Sequence, residues 1–204
     1  MTSPLTLRAG SLTLEPLGAR HVGEMWQALT ESVEQLRPYL AWVETIHSPT
    51  DLERFVARAR VARDDGLEYI FAALGPDGIF CGVVGLHNVD HRNRNAEMGF
   101  WMRTSRTRRG ICQAMAARAM RFAFREIGLH RIFIRHAVDN LTSRSVIEKL
   151  GYLREGTARE DTFLRGQWLT HETYSMLAAE YDELAPALLR LEEAARFTPA
   201  AART

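Results

Sequence analysis

The sequence predicts one domain of the mixed α/β class, because its predicted strands and helices alternate along the chain. The 204 residues suit a single domain with one sizeable core. Hydrophobic residues make up 46% and charged residues 25% of the sequence, as in ordinary globular proteins. From about residue 67 the predicted order is three strands, a helix, a strand, a helix and two final strands. The expected fold is therefore a mixed sheet flanked by helices.

The N-terminal part predicts one strand and two helices. Alternating apolar residues over 11–17 indicate a strand, and apolar residues recur at helical spacing over 19–32. Ser48 followed by Pro49 is typical of a helix start, so a second helix is expected over about 50–64. These two helices precede the main part of the sheet.

The middle of the chain predicts three antiparallel strands in succession. The segments 67–74 and 79–89 are rich in β-forming residues and are joined by the turn sequence GPDG. A third strand is expected over 96–102. The remaining elements are a helix over 110–127, a strand over 131–138, a helix over 142–151, strands over 152–160 and 168–177, and a C-terminal helix over 177–197.

The charge balance and the cysteines exclude several classes of function. The formal net charge is +1, which disfavours a nucleic-acid binder and an anionic-membrane binder. The N-terminus does not resemble a secretory signal and no apolar run could span a bilayer, so a cytoplasmic protein is expected. Cys81 and Cys112 have no metal-binding spacing, so neither a metal site nor a disulfide is expected.

A cluster of arginines lies where the helix over 110–127 begins. Arg103, Arg106, Arg108 and Arg109 precede Gly110, whose small size lets the backbone approach a ligand. The free amides and positive end of a helix form an anion site, and arginines add charge-assisted hydrogen bonds to phosphates. A solvated surface is the alternative interpretation of this cluster.

A second motif follows the arginine cluster, and the two together give a far more specific prediction than either one alone. The spacing of five residues in the segment 137–152 resembles the RimJ/RimL-like branch of the GNAT superfamily of N-acetyltransferases; they are Asn140, Ser143, Lys149, Gly151 and Tyr152. The resemblance covers roughly 10–178. We expect one GNAT domain over 1–204, with its core at about 10–178 and a C-terminal helix and tail at about 179–204.

The resemblance implies a mixed, mostly antiparallel sheet that is splayed between its fourth and fifth strands, at about 96–103 and 130–138. Acetyl-CoA would be the co-substrate, with its pantetheine arm in the splay and no metal involved. The pyrophosphate loop of the family falls on 107–112, where Thr107 and Cys112 depart from its pattern. The cofactor-binding residues so implied are Met98, Phe100, Met102, Arg103, Arg108, Arg109, Gly110, Ile111, Cys112, Asn140 and Ser143.

Acetyl transfer needs a deprotonated amine, and therefore a base close to the splay. Glu97 is the first candidate, and a purely structural carboxylate is its alternative interpretation. His87 and His136 are the reserve candidates, which we also place beside the substrate, because histidine titrates near neutral pH. A backbone amide near Val138 or Asp139 could polarise the thioester oxygen.

The departing thiolate needs a proton donor. Many members of the family carry a tyrosine where this chain has Ile147, so Ser143 becomes the candidate acid. Asn140 is expected to hold the pantetheine arm, although it could instead only cap the following helix. Trp42 falls where this branch builds one wall of its acceptor pocket.

The expected reaction is direct acetyl transfer in a ternary complex to a protein N-terminal α-amine, as in the ribosomal-protein-alanine N-acetyltransferases. The alternatives are acetylation of a small-molecule amine, such as a polyamine, amino acid or antibiotic, and a non-catalytic acyl-CoA-binding regulatory module. A homodimer is expected, because members of this branch commonly associate.

Overall fold

The computed structural model describes residues 5–197; the ends of the expected 1–204 domain, including the Ala-rich tail beyond Phe197, lie outside these residues. Eight strands form one sheet: β1 (Leu7–Ala9), β2 (Leu12–Pro16), β3 (Tyr69–Leu74), β4 (Phe80–Asp90), β5 (Asn95–Met102), β6 (Arg131–Ala137), β7 (Leu153–Leu164) and β8 (Gln167–Leu177). The helices are α1 (Val22–Leu36), α2 (Pro49–Asp64), α3 (Ile111–Arg121), α4 (Leu141–Lys149) and α5 (Ala178–Glu193).

Several element boundaries differ from those expected; β7, for example, ends at Leu164 and not at 160. The strand expected over 11–17 is β2, and an additional short strand, β1, precedes it and joins it through a turn at Gly10, whose φ of +55° suits glycine. The helix expected over 110–127 changes to π-helical geometry over Phe122–Ile127 before it ends at Gly128. The C-terminal helix stops at Glu193, four residues before the expected end at 197.

The sheet has the order β1-β2-β3-β4-β5-β6-β8-β7, and all neighbours are antiparallel except β5 and β6. These two parallel strands pair only over Asn95–Glu97 and Arg131–Phe133, and then diverge. This is the expected splay. It lies between the fifth and sixth strands in chain order, because the short β1 adds one to the count.

Helices cover both faces of the sheet and enclose two cores. The first core contains the buried side chains of α3 together with those of β1, β6 and α5, among them Met115 and Ile132. The second core lies between the sheet and the helices α1 and α2, and includes Met25, Val56 and Trp101. Since β5 contributes to both cores, its alternate side chains face opposite sides of the sheet.

Candidate active site

An open cleft of about 1230 Å³ lies where β5 and β6 diverge. Its walls are the last residues of β5, the loop before α3, the start of α4 and the segment that follows α1. Nine of the expected site residues line it, namely Phe100, Met102, Arg108, Arg109, Gly110, Ile111, Cys112, Asn140 and Ser143. Together with Ala194 and Arg196, which follow α5, the cleft gathers residues from five separate parts of the chain.

The loop before α3 presents backbone amides to this cleft. Gly110 is the N-cap of α3 and has a φ of +74°, a left-handed conformation that favours glycine. Because Gly110 has no side-chain oxygen to cap the helix, the first amides of α3 remain available to an anion. Arg108 also has a positive φ, of 60°. The loop thus has the strained, glycine-dependent backbone of a phosphate-binding turn.

The arginines of this loop have different partners. Arg103 does not line the cleft; its Nε donates to Glu31 Oε2 at 2.6 Å and thereby ties β5 to α1. Arg106 pairs with Asp77 at 2.8 Å. Arg108 lines the cleft, and within residues 5–197 no carboxylate forms an ion pair with it. Arg103 is thereby placed as a structural cation of the loop, while Arg108 faces the space that a phosphate would occupy.

Two departures from the family pattern have clear structural consequences. The hydroxyl of Thr107 donates to the carbonyl oxygen of Thr104 at 2.9 Å, so it stabilises the turn. Cys112 lies in the first turn of α3, where burial raises the pKa of its thiol to about 12. A thiol with such a pKa stays protonated and unreactive at neutral pH.

Asn140 and Ser143 stand together at the start of α4. Asn140 Oδ1 accepts a hydrogen bond from the backbone amide of Ser143 at 3.1 Å, so Asn140 caps the helix. Both residues also line the cleft. Ile147 is fully buried in the first core, and three hydroxyl residues of the first turns of α4 line the cleft, namely Thr142, Ser143 and Ser145.

Glu97 is the last residue of β5 that pairs with β6, and the two strands begin to part there. Its Oε1 accepts a hydrogen bond from Arg135 Nε of β6 at 3.2 Å. Glu97 is next to Met98, which is buried in the first core, so strand alternation places the carboxylate on the opposite face, toward α1 and α2. Met98 therefore belongs to the core beneath the cleft and does not line it.

The two reserve histidines lie in different environments. His87 is the cross-strand neighbour of Glu97, and its ring lies over Gly85 and Gly99. Its Nδ1 is 3.6 Å from Glu68 Oε1. His136 is buried, and its Nδ1 donates to the carbonyl oxygen of Ala137 at 2.8 Å. Strand alternation puts His136 on the face of the first core, so only His87 shares the face of Glu97.

Trp42 packs in an aromatic cluster of the second core. Its ring is stacked on Phe55 with 6.2 Å between centroids, and it lies 6.1 Å from Trp101. Trp42 does not line the cleft; it supports Trp101, which does. Of the two amides considered for the thioester oxygen, that of Val138 donates to the carbonyl of Thr170 at 3.0 Å, which leaves that of Asp139 as the candidate.

Several cleft residues were not identified from the sequence. Tyr39 follows α1, and Asp139 precedes α4. Burial raises the pKa of the Tyr39 phenol, and the carboxylate of Asp139 raises it further, so this hydroxyl remains protonated at neutral pH. Lys149 and Arg196 add two cations to the walls. Of these four residues, only Lys149 is one of the five motif residues in the segment 137–152.

Comparison with known proteins identifies the family. The family model described as "Acetyltransferase (GNAT) domain" matches residues 11–153. The chain belongs to the GNAT acetyltransferase family. YdaF of Bacillus subtilis (strain 168), which is provisionally named a ribosomal N-acetyltransferase, is 33% identical over 172 residues, or 83% of this chain and 91% of YdaF. The ribosomal-protein-serine acetyltransferase of Escherichia coli (strain K12) is 26% identical over 155 residues, or 76% of this chain and 86% of the E. coli enzyme.

A solved structure agrees with this assignment. Mycobacterium smegmatis RimJ in complex with CoA-disulfide superposes with a TM-score of 0.82 and 26% identity over 96% of each chain. The expected GNAT fold and the resemblance to the RimJ/RimL-like branch are confirmed. As a GNAT acetyltransferase, the protein is an acetyl-CoA-dependent N-acetyltransferase.

The residues of the cleft fit the CoA thioester. The amides at the start of α3 and the cations Arg108 and Lys149 suit phosphates, while Phe100 and Met102 suit an extended, mainly apolar arm. Among residues 5–197, no group of three or more His, Cys, Asp or Glu side chains could hold a metal ion. No helix in this described part is long and apolar enough to cross a membrane.

Proposed function

We propose that the GNAT acetyltransferase transfers acetyl directly from acetyl-CoA to the N-terminal α-amine of a protein, with ribosomal proteins as the acceptor class. The observation that carries this proposal is the opening between β5 and β6, which is lined both by the loop before α3, here called the cofactor loop, and by the segment after α1. Such a passage admits both substrates together, as a ternary complex requires. The names of two curated relatives, YdaF and the E. coli enzyme, support ribosomal acceptors.

The acceptor end of the cleft suits a cationic amine. Asp139 and Glu34 line the cleft, and we assign both carboxylates to this end, where they attract a protonated amine from solvent. Tyr39 stands on the same wall and supplies a protonated hydroxyl. An α-amine has a reference pKa of about 8, against about 10.4 for lysine, so its deprotonation at neutral pH costs less.

Glu97 is the proposed base, acting directly or through a water molecule. The proposal is supported by the position of Glu97 as the last residue of β5 paired with β6, beside the splay in which the pantetheine arm would lie. CoA supplies an activated acetyl group as a thioester. Ser143 donates a proton toward the leaving sulfur, and the amide of Asp139 polarises the carbonyl oxygen.

Release of CoA from acetyl-CoA tests the acceptor class. The acceptors are peptides with free and with formylated N-termini, compared with spermidine and with free amino acids. We expect turnover on free N-terminal peptides and none on the matched formylated peptides. Turnover confined to spermidine or amino acids would assign the enzyme to small amines. Calorimetric binding of acetyl-CoA without turnover on any acceptor would indicate a regulatory module.

We also propose that the protein acts as a homodimer in the cytoplasm. The relatives named for ribosomal acceptors support the compartment, because their substrates are made there. Light scattering at micromolar concentration tests the dimer. A particle of twice the mass of the chain is expected, and a particle of single mass would contradict it.

A further inference from the structure

The residues that follow α5 form a short segment, which we call the C-terminal strap (Ala194–Phe197), and its Ala194 and Arg196 line the cleft. The chain over 192–197 passes close to three turns. Each turn contains a glycine, whose missing side chain leaves space for this segment. A Cβ atom at Gly10 would lie 3.1 Å from the carbonyl oxygen of Glu192, and one at Gly110 would lie 3.2 Å from that of Ala194. A Cβ atom at Gly75 would lie 2.8 Å from the ring of Phe197. The strap therefore has a defined path.

A backbone hydrogen bond fastens the strap to the cofactor loop. The amide of Arg196 donates to the carbonyl oxygen of Arg109 at 2.8 Å, immediately before the N-cap of α3. Upstream, Arg121 of α3 pairs with Glu192 at 2.6 Å, which holds the end of α5 against α3. The strap and the loop thus form one unit on the wall of the cleft.

Arg196 lines the cleft and is exposed. Two of the nearby arginines, Arg103 and Arg106, are neutralised by ion pairs with Glu31 and Asp77. Within residues 5–197, Arg196 has no such carboxylate partner, and the same holds for Arg108. An arginine whose backbone is bonded to this loop, and whose guanidinium has no carboxylate partner in the described residues, is a suitable donor to a phosphate oxygen in the cleft.

We propose that Arg196 binds a phosphate group at the adenosine end of CoA, so that the C-terminal strap is part of the cofactor site. This inference rests on the proposed use of acetyl-CoA in this cleft. It assigns a cofactor contact to a residue outside the stretch 11–153 that matches the family model. The phosphate is one of the pyrophosphate pair or the 3′-phosphate.

Calorimetric titration of the full chain with CoA and with 3′-dephospho-CoA tests the assignment. We expect Arg196→Ala to weaken CoA binding by about 5- to 20-fold, as for loss of one charge-assisted hydrogen bond. Arg196→Lys should recover part of the affinity. Arg190→Ala is the matched control, because Arg190 is an exposed arginine of α5 that does not line the cleft. It should bind CoA as the wild type does.

The two ligands identify the phosphate. A loss seen with CoA but not with 3′-dephospho-CoA assigns Arg196 to the 3′-phosphate, and an equal loss with both assigns it to the pyrophosphate. If Arg196→Ala folds normally and binds both ligands as tightly as Arg190→Ala, the inference is wrong while the proposed function stands. If the wild-type protein binds neither ligand, the proposed function itself fails.

Discussion

Glu97 and Arg135 form an ion pair that bridges β5 and β6 at the point where the two strands part. The distance from Arg135 Nε to Glu97 Oε1 is 3.2 Å, and Glu97 is the last residue of β5 paired with β6. Arg135 Nη1 also lies 3.6 Å from Asp161 Oδ2, and Asp161 in turn contacts His171. The carboxylate proposed as the base is therefore held in place by a row of charged groups across β6, β7 and β8.

Glu97→Gln should lower kcat by about 10²- to 10⁴-fold, because the amide keeps the shape but cannot accept a proton. The KM for acetyl-CoA should change little, since Glu97 lies at the parting of β5 and β6 and is not among the residues that line the cleft. Steady-state kinetics across pH 6 to 9 would measure both. Loss of the acid limb of the profile is the expected signature.

His87→Ala is the comparison variant, since His87 lies directly across from Glu97 on β4. The His87→Ala variant should keep the acid limb of the pH profile. If His87→Ala removes that limb while Glu97→Gln retains wild-type kcat, the base has been assigned to the wrong residue.

Asn140 has two roles that substitutions can separate. Asn140→Ala removes the cap of α4 and should lower the free energy of unfolding by about 0.5–2 kcal/mol. Asn140→Ser keeps a capping oxygen but lacks the amide donor, so it should unfold near the wild-type midpoint while the KM for acetyl-CoA rises. Thermal unfolding and kinetics on the same samples measure these effects. A wild-type KM in both variants would leave capping as the sole role of Asn140.

Gly110→Ala should reduce both stability and CoA affinity. A side chain at a φ of +74° costs about 1–2 kcal/mol, and its Cβ atom would press on the carbonyl oxygen of Ala194. Denaturant unfolding and calorimetry measure the two effects. Gly166→Ala is the matched control, because Gly166 has a φ of +79° and a Cβ atom there would meet nothing within 4 Å beyond its chain neighbours. It should lose similar stability and keep CoA affinity; an equal loss of affinity in the control would contradict the prediction.

The contact of Glu31 with the loop after β5 should make stability depend on pH. Burial alone raises the pKa of Glu31, but hydrogen bonds from Arg103 and Ser105 outweigh it and hold the pKa below the ordinary value of 4.5. Because the folded pKa is lowered, the stabilisation is fully present above pH 4.5 and is lost as pH falls through the folded value.

Thermal midpoints of the wild type and Glu31→Gln should therefore differ at pH 7 and converge under acid conditions. Glu34→Gln on the same helix is the control, since its side chain is 83% exposed and its contact with Arg37 is 3.7 Å long. A gap between wild type and Glu31→Gln that stays constant down to pH 3 would refute the role of this carboxylate.

The elements of the fold could be predicted because their signals are local. Strand alternation, the Ser48-Pro49 helix start and the glycine at 110 each specify a short stretch of backbone without reference to the rest of the chain. The cofactor loop and the cap at Asn140 are likewise specified by short, local stretches of sequence. Their places in the sequence motif and in the cleft agree.

The remaining features depend on contacts between distant segments. The roles of adjacent residues on β6 show this clearly: Arg135 reaches Glu97, whereas His136, one residue later, is buried on the opposite face. A shift of one residue reverses the face of a strand, and the sequence alone did not say which face carries the site. Arg196 reaches the cleft only because α5 ends at Glu193, four residues earlier than the apolar pattern suggested.

The short pairing of β5 with β6 gives the sheet an interior edge. Beyond Glu97 and Phe133 the two strands turn unsatisfied backbone groups toward one another across the cleft. Exposed strand edges recruit other extended chains, and proteins usually protect them. In this enzyme an extended ligand arm that carries amides can protect the edge. CoA should therefore reduce aggregation as well as take part in the reaction. Stocks kept without CoA should accordingly lose protein to precipitation sooner than stocks that contain it.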